Sequence, residues 1–139
     1  MRVLAIGDIV GEKAVETVKE NLKEIKETKQ IDFVIANGEN AKNGNGLDKN
    51  LFNQLITAGV DVITMGNHTW GDEEIYQFIE DDRIIRPGNI TKGIPGKGYT
   101  IKEKNGHKIM VMNLIGRRNM EGVYFSDNPF IEANEILER

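Results

Sequence analysis

Residues 31–46 read IDFVIANGENAKNGNG: an apolar run from Ile31 to Ala36 passes directly into an Asn/Gly-rich loop, residues 37–46, that carries Glu39 and Asn40. The run suits a strand, and the loop breaks regular structure after it. The same junction recurs on either side. Upstream, VLAIGD ends at Asp8; downstream, VITMGNH ends at Asn67 and His68. Residues 2–6 and Val60 to Thr64 read as the flanking strands, the first of them as a buried one. Residues 12–28 place Ala14, Val15, Val18, Leu22 and Ile25 at helical spacing with charges between them, an amphipathic crossover helix. Asp48 and Gly59 bracket a second helix over 49–58 as its N-cap and its C-terminal glycine. Strand and helix therefore alternate, which predicts parallel strands joined by right-handed crossovers. In such a sheet these loops all fall at the carboxyl ends of adjacent strands, where ligand sites gather.

Farther along, Asp72 caps a predicted helix through about Glu80, with Ile75, Phe78 and Ile79 inward. Arg83 to Arg86 is a short strand and residues 87–98 are loop. Tyr99 to Lys104 and Lys108 to Leu114 form a hairpin around Asn105-Gly106, which makes the sheet mixed. Residues 116–128 read as loop, and Pro129 opens a last helix over 129–138.

The 139 residues suit one domain. A formal charge of −4 without a Lys/Arg-dense block argues against long nucleic acid as a partner. Cysteine is absent, so any metal must be held by oxygen and imidazole. No segment has the length of a signal or membrane-spanning stretch, and the expected location is the cytoplasm, with no membrane partner.

The strand-end loops carry the chemistry. Glu39 is a carboxylate able to bridge two cations, and Asn40 sets an amide oxygen beside it; such hard donors suit Mn, Mg or Fe. Asn67-His68 puts an amide oxygen next to an imidazole, a metal contact and a proton-transfer group in one turn. Asp8 serves equally as a ligand or as a cap for the next helix. Asn37, Asn43 and Asn45 read as turn residues, Trp70 as packing and His107 as a solvated turn residue. Arg117, followed by Arg118, can hold phosphate oxygens bidentately or simply face solvent. A Walker loop is excluded, because Glu12 and Ala14 stand where Gly and a hydroxyl are required. The turn after the first strand is not a dinucleotide-binding G-x-G-x-x-G either.

Taken in order, Gly7-Asp8-Ile9-Val10-Gly11, Asn37-Gly38-Glu39-Asn40-Ala41, Gly66-Asn67-His68-Thr69-Trp70, Arg86-Pro87-Gly88-Asn89 and Asn113-Leu114-Ile115-Gly116-Arg117 resemble the YmdB-like branch of the calcineurin-type metallophosphoesterases. The resemblance implies an α/β fold, half of a four-layer α/β/β/α sandwich with a parallel β-α-β-α-β start and a mixed sheet. It implies two divalent metals (Mn, Fe or Mg) and hydrolysis of small phosphodiesters such as 2′,3′-cyclic nucleotides. Asp8 and Asn67 would be metal ligands, Glu39 the bridge, Asn40 a ligand of the second metal, His68 the proton donor and Arg117 a substrate contact. Two cations about 3.5–4 Å apart can activate a shared water and stabilise an in-line transition state.

Members of this family run to roughly twice this length. Their second half brings a lone histidine and a Gly-x-His-x-His loop that this sequence lacks. The resemblance thus implies that residues 1–139 are the N-terminal portion of such a domain, truncated, with weakly bound metal and weak activity. The alternative is a non-catalytic nucleotide- or partner-binding module. Because half a sandwich leaves a sheet face and an edge open, self-association is expected.

Overall fold

The computed structural model of the chain describes residues 1–117 and 126–138. Strands β1 (Val3–Asp8), β2 (Phe33–Asn37), β3 (Val62–Thr64) and β4 (Ile84–Ile85) pair in parallel in the order β1-β2-β3-β4. Each strand is added on the same side of the last, so right-handed crossovers put the connecting helices on one face. There α1 (Glu12–Lys29) and α2 (Lys49–Ala58) bury Val15, Leu22, Leu51, Phe52 and Leu55 against Leu4, Ile6, Val34, Ala36 and Ile63. Helix α2 has the predicted ends: the Asp48 side chain accepts from the Leu51 N–H at 2.8 Å, and Gly59 closes the helix at φ 107°. Helix α1 starts from Gly11 with no side-chain cap. Asp8 is therefore not its cap.

Two strands begin later than the sequence predicts, for one reason. The N–H groups of Ile31 and Val60 are taken by the preceding helices, through Lys26 O at 2.9 Å and Leu55 O at 3.1 Å. The helix ends thus consume residues whose side chains alone suit a strand. The first strand is not buried as expected: β1 lies at the sheet edge, and Val3 is 46% exposed. The helix expected through Glu80 is a 3₁₀ turn over Glu73–Gln77. Asp72 does cap it, accepting from the Glu74 N–H at 2.8 Å, but Phe78 leaves helical backbone at φ −142°. In a three-residue turn positions i and i+3 share a side, so Ile75 and Phe78 are both buried, and the Phe78 ring lies 4.8 Å from that of Phe52.

The antiparallel pairing is realised in a second sheet rather than as an extension of the first. Among the described residues, strands β5 (Tyr99–Lys104) and β6 (His107–Met112) pair only with each other, through Asn105 (φ 51°) and Gly106 (φ 75°). Two consecutive left-handed residues are what a two-residue hairpin turn requires. Val111 and Ile109 pack on Phe33, Ile35, Val62 and Ile85, giving helix, sheet and sheet layers in that order. At one end Asp61 accepts from the Val34 N–H and from Lys104 Nζ, each at 2.9 Å. At the other, Asn113 Nδ2 donates to Met65 O at 2.6 Å.

The last helix, α3 (Pro129–Leu137), starts at Asn128, whose side chain accepts from the Phe130 N–H. No helix among the described residues is long and apolar enough to cross a membrane.

The approach to β4 is held by an ion pair. Arg83 Nε and Nη2 donate to the two Asp81 carboxylate oxygens at 2.8 and 2.6 Å, which holds the Asp81 pKa down at about 2 against an ordinary 3.8. A depressed carboxyl stabilises the fold above its unfolded pKa and loses that contribution as pH falls toward its folded one. Both side chains are partly exposed, so the pair is worth about 1 kcal/mol. Asp81→Asn is expected to lower the unfolding free energy by that amount at pH 7, with the gap to wild type closing between about pH 4 and about 2 in urea titrations. A gap that stays constant over that range contradicts this account.

Candidate functional site

Parallel register sets Asp8, Asn37 and Thr64 side by side across β1, β2 and β3. The loops that follow these strands must therefore meet at one edge of the sheet. Asn40 is the centre of the meeting. Its Nδ2 donates to Asp8 Oδ1 and Oδ2 at 3.0 and 2.9 Å, and its Oδ1 lies 2.5 Å from His68 Nδ1. A carboxylate can only accept, which orients the amide; the amide oxygen likewise can only accept, so His68 carries its proton on Nδ1. Nε2 is left as the ring nitrogen for proton exchange.

Glu39 is held from two sides. Its Oε2 accepts from the His68 backbone N–H at 3.1 Å, and its Oε1 accepts from Asn37 Nδ2 at 3.2 Å. Asn37 Oδ1 in turn accepts the Glu39 N–H at 3.3 Å. Asn37 is thus more than the turn residue predicted from a Gly-rich neighbourhood, because β2 runs on through it and aims its amide at Glu39. Gly66 is a second residue that sequence reasoning missed. A Cβ there would overlap both Glu39 carboxylate oxygens, so the loop after β3 must be bare at that point to admit the acid.

The two site loops are also locked to each other. Lys42 Nζ donates to Asp72 Oδ2 at 2.5 Å and pairs with Asp48 at 3.5 Å, and that contact with Asp72 holds the ammonium pKa above its ordinary value. Asn43 at φ 50° and Gly46 at φ 94° turn the first loop, and a Cβ on Gly46 would run into the Gly71–Asp72 backbone.

Asp8, Glu39, Asn40 and His68 are thus joined in one contact network, and Asn67 is bonded to His68 through the chain. Asp8 is exposed, whereas Glu39, Asn40, Asn67 and His68 are half-buried. Arg117 is exposed and takes no part in the contacts that tie this network together among the described residues; Arg118 lies outside them. Trp70 packs against the helix-side core and stacks on Tyr76 with ring centroids 5.2 Å apart. His107 is exposed at the start of β6.

As a cation cradle the network offers carboxylate and amide oxygens with one imidazole, the right chemistry for a hard divalent ion. By number it is a partial shell. The described residues contain no group of three His, Cys, Asp or Glu side chains able to hold a metal.

The profile of the family described as YmdB-like protein matches residues 4–139. A Bacillus subtilis (strain 168) relative named 2′,3′-cyclic-nucleotide 2′-phosphodiesterase is 44% identical over 138 residues, 99% of this chain and 51% of the relative. A crystal structure of a hypothetical protein from Thermus thermophilus matches all of the chain and 53% of that protein, at 39% identity and a TM-score of 0.91. A structure described as a novel phosphatase from Mycoplasma pneumoniae matches 99% of the chain and 50% of that protein, at 34% identity and a TM-score of 0.88. The chain spans about half the length of the relatives it matches. Because the family match takes in residues 4–139, nearly all of this chain, the chain belongs to the YmdB-like protein family.

Proposed function

We propose that this chain contributes the Asp8–Asn40–His68–Glu39 network to a metal-dependent phosphodiesterase acting on small phosphodiesters such as 2′,3′-cyclic nucleotides. The observation that carries the reading is the convergence of two carboxylates, amide oxygens and one imidazole from three strand ends. The name of the Bacillus subtilis relative supports the substrate class. Asp8, Glu39, Asn40 and Asn67 would hold the cations, Mn, Fe or Mg, with Glu39 between them. Bound divalent ions supply Lewis acidity toward phosphoryl oxygens.

The chain's own groups do the rest. Asp8 and Glu39 offset part of the cationic charge, Asn40 ties Asp8 to the ring of His68, and the Nδ1–H···Oδ1 contact fixes the orientation of that ring. In its imidazolium form, with Nδ1–H kept on Asn40, the ring gives its second proton from Nε2 to the departing ribose oxygen and is left neutral. With two carboxylates against four positive charges, metal is held weakly and turnover by the chain alone is slow. That small charge favours one other reading, a nucleotide- or partner-binding module without turnover. Arg117 would contact the substrate phosphate through its guanidinium.

The same half-covered architecture favours self-association. The hairpin covers β2, β3 and β4, whereas Val3 on the edge strand is exposed; Ile101 and Met110 face each other on the outer side of the hairpin, and Phe130, Ile131 and Leu137 are exposed on α3. Open edges and contiguous apolar surface drive association.

Two measurements check these readings. His68→Ala is expected to lower Mn²⁺-dependent hydrolysis of bis-p-nitrophenyl phosphate and of a 2′,3′-cyclic nucleotide by about 10²–10⁴-fold, the usual contribution of a positioned proton donor. Unchanged turnover removes His68 from that role, and an absence of turnover in a wild-type chain that binds nucleotide supports the binding module. In light scattering the chain is expected to exceed its monomer mass at micromolar concentration, with Val3→Lys shifting it toward monomer. A wild-type monomer across that range contradicts the association.

A further inference from the structure

The Glu39 carboxylate sits where it does because other groups hold it there. Left to its own rotamers, a half-buried glutamate on a Gly-flanked loop samples several positions, and ordering such a long side chain has an entropic cost. Here each oxygen is fixed from a different element: Oε2 by the His68 N–H on the loop after β3, and Oε1 by Asn37 Nδ2 at the end of β2. Asn37 makes a second contact, its Oδ1 accepting the Glu39 N–H at 3.3 Å, so one amide holds both the backbone and the acid of the same residue. Only an amide can do this at that reach. Aspartate could accept the N–H but would set a second anionic oxygen against Oε1, and serine could accept the N–H but could not span to the carboxylate. Asn37 is itself placed rigidly, paired in the sheet with Asp8 on one side and Thr64 on the other.

We propose that Asn37 is a positioning residue: through its side-chain amide it presets the Glu39 carboxylate for cation binding and acts on metal only through Glu39. This rests on the metal-dependent reading above. Groups that orient a ligating side chain typically change metal affinity by about 10–100-fold, and these contacts, at 3.2 and 3.3 Å, are at the long end for hydrogen bonds. The low end of that range, about 10-fold, is therefore expected.

The test is a Mn²⁺ titration of the 139-residue chain, followed by electron paramagnetic resonance of the free ion, for wild type, Asn37→Ala, Asn37→Ser, Glu39→Ala and the double variant Asn37→Ala/Glu39→Ala. Asn37→Ser keeps an acceptor for the Glu39 N–H, so it preserves the turn if the alanine variant folds poorly; metal-free thermal unfolding checks both. The expected result is a loss of about 10-fold for each single Asn37 variant and no further loss from Asn37→Ala once Glu39 is alanine. Wild-type affinity in Asn37→Ser, or the same loss from Asn37→Ala with and without Glu39, overturns the proposal while leaving the metal-dependent function standing. Absence of Mn²⁺ binding to the wild-type chain overturns that function and this proposal with it.

Discussion

Asp8, Asn37 and Thr64 lie abreast across three parallel strands, and nearly every other feature of the site follows from that register. Parallel strands in sequential order end at the same edge, so three loops that are remote in sequence leave the sheet within a few residues of one another. Once they do, a single asparagine can touch both an aspartate thirty-two positions before it and a histidine twenty-eight positions after it. An antiparallel arrangement of the same strands would send alternate loops to opposite ends, and the network could not form.

Convergence brings crowding, and glycine relieves it at a few sites. The loop after β2 and the loop after β3 approach so closely that Gly66 and Gly46 have no room for a side chain, the first because of the Glu39 carboxylate and the second because of the Gly71–Asp72 backbone. The Lys42 ammonium then pins the two loops through Asp72 and Asp48. Rigid loops of this kind place their polar groups in advance, which suits a site that must gather charge from several elements.

Arg86, Asn89 and Asn113 of the later motifs are architectural. Arg86 buries its guanidinium and donates to the carbonyl oxygens of Pro87, Pro95 and Ile94, and burial pulls its pKa below the ordinary arginine value. Asn89 is fully buried; it donates to Ile115 O and Asp127 O and accepts from the Ile115 N–H. Asn113 carries the hairpin exit onto Met65 O, immediately before Gly66. Asn113 fastens the hairpin exit to the first sheet and through Met65 braces the loop that bears His68, while Arg86 and Asn89 hold the segments on either side of the hairpin. In the linear sequence an Arg-Pro-Gly-Asn segment looks no different from a binding loop, since its partners are backbone carbonyls supplied from elsewhere.

What could be read from the chain itself was whatever depends on near neighbours: the strand-to-loop junctions, the amphipathic stripe of α1, the Asp48 and Gly59 ends of α2, the Asn105-Gly106 turn and the oxygen-rich dipeptides. Each is set by side-chain period, by caps three residues away or by a backbone conformation that few residues adopt. Tertiary structure alone decided that Ile31 and Val60 serve helix ends, that the Asp72 segment is a 3₁₀ turn around a buried Phe78, and that the hairpin forms its own sheet. It also decided that Asn37 reaches Glu39 and that Gly66 must be bare. These outcomes rest on contacts across elements, where the partner's position, and not the residue's own preference, fixes which hydrogen bond is made and which space is filled.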